Sequence, residues 1–264
     1  MVLRNPKRIP PLMAGVAAVG LATFYLYQQS DSSISSQTDG RVHALSHPIF
    51  REPAYHFDII KKYYPGYVAG RGRKNELVYY EECGKIDHDA LLKNGVTLPI
   101  LLQHYVMTTI ASFELEAKEG QRMITVFDVK GTGLHFLQGG KVEFMKAASK
   151  IMQMEYSKKY DYRFAEKNQV VIMVNVAGFL TAGWRFVSKL LSRNTVEKTI
   201  ILSEADTYEG LLKWIDHDNI PKRYGGGMGG EGMKDCRFTS VDEIKLRDFV
   251  MEQGDNRERQ KRPV

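Results

Sequence analysis

The chain has 264 residues, a formal net charge of +6 and 43% apolar residues. That length holds one sizeable domain with tails, and that apolar content excludes a disordered chain. The mild basic excess suits an anionic membrane surface and, without a dense Lys/Arg stripe interleaved with aromatics, excludes a dedicated nucleic-acid binder.

Arg4, Lys7 and Arg8 precede an uncharged run, LMAGVAAVGLATFYLY, over residues 12–27, and a Ser-rich linker, QQSDSSISSQTDG, follows it. A positive start before an apolar segment reads as an anchoring or targeting signal. The run falls short of the roughly 20 residues that cross a bilayer comfortably, but Tyr25 and Tyr27 can sit at the interface and extend it. The expectations, in order, are an uncleaved single-pass signal anchor, an organelle-targeting segment and a cleaved signal peptide. An ordinary helix docked on the domain is the plain alternative. An anchor would hold the N-terminus in the cytosol and put the domain on the other side. Two cysteines, Cys83 and Cys236, form no CxxC and the chain has no N-x-S/T sequon, which fits a cytosol-facing domain with reduced thiols. These two inferences oppose each other.

The expected organisation is an apolar segment (1–29), a linker (30–45), a domain (46–250) and a disordered charged tail (251–264). Within the domain, ELVYY (76–80) reads as a strand. Thr97 can cap a helix that starts at Leu98–Pro99 and runs to about Lys118, with Leu98, Leu101, Leu102, Tyr105, Val106, Ile110 and Phe113 on its apolar face. MITVFDV (123–129) is a continuous apolar run, as in a strand covered on both faces. A helix is expected over 141–160, a buried strand over VVIMVNV (170–176), and a helix over 181–192. KTIIL (198–202) is the last strand, and a short helix spans 206–215 before Pro221. Strand–helix alternation implies an α/β fold with crossover helices.

Enzyme motifs are missing from the sequence. It holds neither a G-x-S-x-G elbow nor a G-x-x-x-x-G-K-[ST] phosphate loop. GGGMGG (225–230) precedes no strand–helix unit and reads as a flexible connection. His43 and His47 lie beside the linker with no third ligand nearby, so no metal site is expected. Asp128 and His135 could form an acid–base pair, but a strand-end Asp and a turn His more often serve structure.

Four stretches in order carry more information. KKYYPGYVAG…ELVYYEECGKID (61–87), RMITVFDVKGTGL (122–134), FAEKNQVVIMVNVAGFLTAGWRFVSKLLSRNTVEKTIIL (164–202) and LLKWIDHDNIPKRYGGGMGG (211–230) resemble, in order and spacing, the CRAL-TRIO lipid-binding family. The similarity is greatest to its Sec-fourteen-like phosphatidylinositol/phosphatidylcholine transfer proteins. The resemblance implies a mixed β-sheet flooring an apolar lipid pocket, flanking helices and an amphipathic gating helix. The gate falls at about residues 179–191, with Phe179, Leu180, Trp184, Phe186, Val187, Leu190 and Leu191. A lipid's chains gain about 0.8 kcal/mol per buried methylene, and a gate apolar on both sides can dip into a bilayer when open.

Carried over residue by residue, the resemblance puts head-group contacts at Glu166, Lys167, Thr195 and Lys198. Lys198 beside the Thr195 hydroxyl suits an anion clamp. Tyr79, Glu81, Phe127 and His135 are further pocket candidates. The implied ligand is phosphatidylinositol or a related phospholipid, with no cofactor and no catalysis, at a membrane surface and with a lipid kinase as client. The family's N-terminal helical subdomain is absent, and Thr132, Gly133 and His135 replace the small hydroxyl residues tied to phosphatidylcholine. The competing function is a membrane-anchored lipid-sensing adaptor that regulates a partner protein without bulk transfer.

Overall fold

The computed structural model describes residues 49, 56–116, 122–132, 168–177, 193–229 and 240–261. Helix α1 (Phe57–Tyr63) ends before Pro65 and leads into β1 (Gly66–Arg71) and β2 (Leu77–Glu82), an antiparallel pair. Their turn is closed by Gly72 N–H to the Glu76 carbonyl at 2.9 Å, with Asn75 at φ 65°. Asparagine tolerates that left-handed conformation because its short polar side chain bonds locally. After a 3-10 turn (Cys83–Lys85), Asp87 caps α2 (His88–Lys93) by accepting from Ala90 N–H at 2.9 Å. The long helix α3 (Leu98–Glu116) begins where Thr97–Pro99 predicts and stops two residues before the expected Lys118. Strands β3 (Met123–Asp128) and β4 (Asn168–Val174) follow, then α4 (Arg193–Lys198), β5 (Thr199–Ile201) and α5 (Thr207–Leu212). Helix α6 (Val241–Lys261) ends the described chain.

The five strands form one mixed sheet in the order β1-β2-β3-β4-β5; β1 is antiparallel and the other four are mutually parallel. Side chains alternate between the two faces of a strand, so the register sorts them. Tyr79, Thr125, Val171 and Thr199 form one cross-sheet row, and Glu81, Phe127, Met173 and Ile201 the next row on the same face. Val78, Tyr80, Ile124, Val126, Val170 and Ile172 point the other way. They form the main core with Leu211, Ile215, Ile220 and Tyr224 from α5 and the segment after it.

Several sequence boundaries shift for identifiable reasons. β2 runs on to Glu82 because both of its terminal glutamates are buried with partners. β4 ends at Val174 because Asn175 takes φ 57°. α5 is shorter than expected because Ile215 is drawn into a bridge with Gly72. GGGMGG is a packed turn through Gly229, not a flexible connection. Gly227 and Met228 donate to the His217 and Ile220 carbonyls, and a Cβ on Gly226 would lie 2.1 Å from the Ile220 oxygen. The helices expected over 141–160 and 181–192 lie outside the described residues.

The C-terminal segment departs most from expectation. Residues assigned to a disordered tail continue α6 through Lys261. Leu246 and Val250 dock the first half of the helix against Leu102, Val106, Met107 and Ile110 of α3. Glu, Arg, Gln and Lys then favour its continuation. The start of α6 also covers the edge of the sheet. Ser240 donates to the Val68 carbonyl at 2.8 Å, and Glu243 accepts from Val68 N–H at 2.6 Å while pairing with buried Lys61 at 2.7 Å. Arg71 grips Asp242 through two nitrogens at 3.0 and 2.9 Å. An edge strand whose backbone groups are satisfied this way offers no template for another chain.

No helix among the described residues is long and apolar enough to cross a membrane; residues 12–27 lie outside them.

Candidate functional site

Three of the four pocket candidates, Tyr79, Glu81 and Phe127, fall on the same sheet face. Phe127 packs with Cys83, Val129, Val171, Met173 and Val176, and Tyr79 meets Tyr105 of α3 edge-on at 6.3 Å. This face is apolar at its centre and polar at one side. There Glu81 is buried; Tyr64 and Tyr79 each donate to it at 3.0 Å, and the Cys83 thiol at 3.7 Å. Burial raises the Glu81 pKa from its ordinary value while the three donors oppose that rise. Burial, then the Glu81 charge, pushes the Tyr64 and Tyr79 hydroxyls and the Cys83 thiol well up. The arrangement supplies hydrogen-bonding groups beside an apolar floor and holds no activated nucleophile. Gly66 makes it fit, because a Cβ there would lie 2.2 Å from the Tyr79 hydroxyl.

Lys198 closes α4 and is half-buried immediately before β5; Thr195 lies within α4. Lys198 and Thr195 therefore sit at the edge of the sheet where the parallel strands begin. Glu166 and Lys167 precede β4 in the chain but lie outside the described residues, as do His135 and the gate positions Phe179, Leu180, Trp184, Phe186, Val187, Leu190 and Leu191.

At the opposite edge, where the parallel strands end, the sequence motifs meet. Asp128 Oδ1 accepts from Lys130 N–H at 2.9 Å and Asn175 Nδ2 at 2.8 Å; its Oδ2 accepts from the Tyr224 hydroxyl at 3.1 Å. Asn175 N–H in turn donates to Thr207 Oγ1 at 3.2 Å. Gly84 admits the Lys130 carbonyl, which would lie 1.9 Å from a Cβ. Tyr67, Tyr80 and Tyr224 stack at centroid distances of 5.4 and 5.9 Å, and the Arg223 guanidinium lies 5.6 Å over Tyr67 while it pairs with Glu82. Asp128 is therefore a structural tie between β3, β4 and the C-terminal turn. His135, the other half of the expected acid–base pair, lies outside the described residues.

Sequence reasoning missed two groups here. Tyr64 ends α1 outside any periodic pattern, and its neighbour Pro65 was the one available hint. Arg223 follows Pro221, where the regular pattern stops. A cleft of about 300 Å³ opens at this edge, lined by Glu82, Lys85, Lys130, Glu204, Tyr208 and Arg223 among others. Among the described residues no group of His, Cys, Asp and Glu is arranged to hold a metal ion.

Comparison with known proteins agrees with this architecture. Residues 61–226 match the family model described as CRAL/TRIO domain. The chain is similar to the SEC14 cytosolic factor of Candida glabrata, 27% identical over 184 residues, covering 65% of this chain and 57% of that protein. It is also similar to the phosphatidylinositol/phosphatidylcholine transfer protein SFH7 of Arabidopsis thaliana, 25% identical over 178 residues, covering 64% of this chain and 30% of that protein. Among solved structures it is similar to the crystal structure of Sfh5, with 15% identity, a TM-score of 0.49, and 78% of this chain and 68% of that one covered. The chain thus spans 57% and 30% of the length of these two curated relatives. The match opens inside α1 and ends at Gly226, so α6 lies beyond it. A family model that covers most of the described sheet, together with the mixed five-stranded topology, settles the matter: the chain belongs to the CRAL/TRIO domain family.

Proposed function

We propose that this protein binds a phospholipid against the sheet face that carries Tyr79, Glu81, Phe127, Val171 and Met173, and transfers or presents it at membranes. The observation that carries this reading is that face itself. Phe127, Val171 and Met173 supply an apolar floor at the strands' centre, and the Tyr64–Tyr79–Glu81 cluster supplies polar contacts at one side. One relative is named a phosphatidylinositol/phosphatidylcholine transfer protein, which supports the ligand class. Phosphatidylinositol is the preferred lipid in this reading. Lys198 and Thr195 hold its phosphate at the edge where β4 and β5 begin, Glu166 and Lys167 join them from the residues before β4, and residues 179–191 gate the pocket. The protein acts as a carrier or presenter, with a lipid kinase as one client, and not as an enzyme.

Mass spectrometry of lipids that co-purify with the full chain tests the proposal. Phosphatidylinositol is expected in stoichiometric amount, and Thr195→Ala with Lys198→Ala should empty it without unfolding the protein. A protein free of phospholipid, or unchanged loading in the double variant, refutes the site. A tethered form of the same function draws support from the apolar run at 12–27. Lipid exchange between two vesicle populations by a chain starting near residue 45, matched by no exchange from the full chain, would favour presentation over transfer.

A further inference from the structure

Helix α6 lies beyond the family match, and its start grips β1 at the residues that stand opposite the polar cluster of the lipid face. In the antiparallel β1–β2 pair, Val68 faces Tyr79 and Gly66 faces Glu81. Both Val68 backbone groups bond to the start of α6. Ser240 Oγ donates to the carbonyl at 2.8 Å, and Glu243 Oε1 accepts from the N–H at 2.6 Å. The other Glu243 oxygen pairs with Lys61 at 2.7 Å, and Lys61 Nζ donates to the Gly66 carbonyl at 2.8 Å. The Lys61 and Glu243 side chains are 5% and 2% exposed, so water does not compete for this link.

Three contacts carry the grip to Glu81. The Gly66 backbone lies against the Tyr79 hydroxyl, where a Cβ would stand 2.2 Å from the oxygen, and that hydroxyl donates to Glu81. Lys61 sits in the last turn of α1, and Tyr64, the C-cap of that helix, donates to the other Glu81 oxygen. Tyr105 of α3 meets Tyr79 edge-on and packs in the same cluster as Leu246 and Val250 of α6. β1 lacks this rigidity by itself, because its register against β2 shifts between Val68 and Arg71, directly after the gripped residue. We propose that α6 is a positioning strap for the lipid face. Ser240, Glu243 and Lys61 hold Tyr64 and Tyr79 on Glu81, so seating or lifting the start of α6 controls how firmly that face keeps its phospholipid. The control rests on the lipid reading; the link from α6 to Glu81 does not.

Cys83 reports on the cluster independently of lipid, because its buried thiol contacts Glu81 at 3.7 Å. The test uses the full chain with Cys236→Ser, which leaves Cys83 as the one thiol. It reads the rate at which a maleimide labels Cys83, and the phosphatidylinositol retained on purification by mass spectrometry. Ser240→Ala with Glu243→Gln should raise the labelling rate about tenfold or more at unchanged circular dichroism, the scale of two weakened buried hydrogen bonds. Ser240→Ala alone keeps the Lys61 pair, should raise the rate about threefold, and decides the matter if the double variant does not fold. Ile172→Val lowers stability from the other face of the sheet and should leave labelling at the wild-type rate. Retained phosphatidylinositol should fall in the strap variants as labelling rises. Unchanged labelling in a folded strap variant, or an equal rise in Ile172→Val, overturns the link. Faster labelling with undiminished lipid overturns the control. A wild-type chain without phospholipid, whose labelling still follows the strap, sinks the lipid reading and leaves the link standing.

Discussion

Asp128→Ala separates a structural carboxylate from a chemical one. The substitution removes one acceptor for each of three donors: Lys130 N–H, Asn175 Nδ2 and the Tyr224 hydroxyl. Lys130 lies on an exposed turn and can turn to water. Asn175 is half-buried, and Tyr224 is buried under the stack with Tyr80. A buried donor left unsatisfied costs about 1–3 kcal/mol, so two such donors should cost about 4 kcal/mol. Tyr224→Phe keeps the stack and removes one donor, at about 1.5 kcal/mol. The two changes share a bond, so the double variant should be less destabilised than their sum by about 1 kcal/mol. Urea unfolding followed by circular dichroism measures all three, and the denaturation slope should not change. Lipid content of the folded fraction should stay at the wild-type level. A cost below about 1 kcal/mol, or lost lipid in a fully stable variant, would refute the structural assignment.

Three further outcomes follow from the geometry. Gly66→Ala should displace the Tyr79 hydroxyl from Glu81, because the new Cβ lies 2.2 Å from it; adding Tyr79→Phe should recover part of the lost stability, and no recovery would show that another clash dominates. His104 is half-buried against Phe57, and desolvation, followed by the Lys61 charge, pulls its pKa well below the ordinary 6.5. The unfolded chain then binds a proton that the folded one refuses, so stability should fall as pH drops below 6.5, by up to about 1.4 kcal/mol per pH unit. His104→Gln should flatten that slope in chemical denaturation curves, and an unchanged slope would assign it elsewhere. Lys61→Met leaves Glu243 buried without its cation and should cost about 3–5 kcal/mol, whereas Arg247→Ala, which breaks an exposed pair with Asp58, should cost under about 1 kcal/mol; equal costs would contradict the burial argument.

How much of this was readable beforehand depends on where each element draws its stability. β3 and β4 are buried on both faces, so MITVFD and VVIMV announce themselves by composition alone. β1 does not: GYVAGR is half glycine and small residues, and it is a strand because Asn75 turns the hairpin and β2 pairs with it. α6 is invisible to hydrophobic periodicity for the same kind of reason. Its apolar contacts come down to Leu246 and Val250 with flanking partners, and Ser240, Asp242, Glu243 and Arg247 secure it through polar bonds to segments more than 160 residues away.

The motifs that carried the family resemblance raise a different point. Asp128 accepts from Asn175 and Tyr224 at one edge of the sheet, where Gly84 admits the Lys130 carbonyl. They keep β2, β3, β4 and the C-terminal turn in register, and a chain needs that whatever lipid it holds. The side chains that would tell one ligand from another are elsewhere: Tyr79 and Glu81 on the opposite face, and Lys198 at the other edge. A motif match that rests mostly on the tie therefore argues strongly for the fold and weakly for the ligand. Lipid identity has to be measured at the proposed contacts Lys198, Tyr79 and Glu81, which lie apart from that tie.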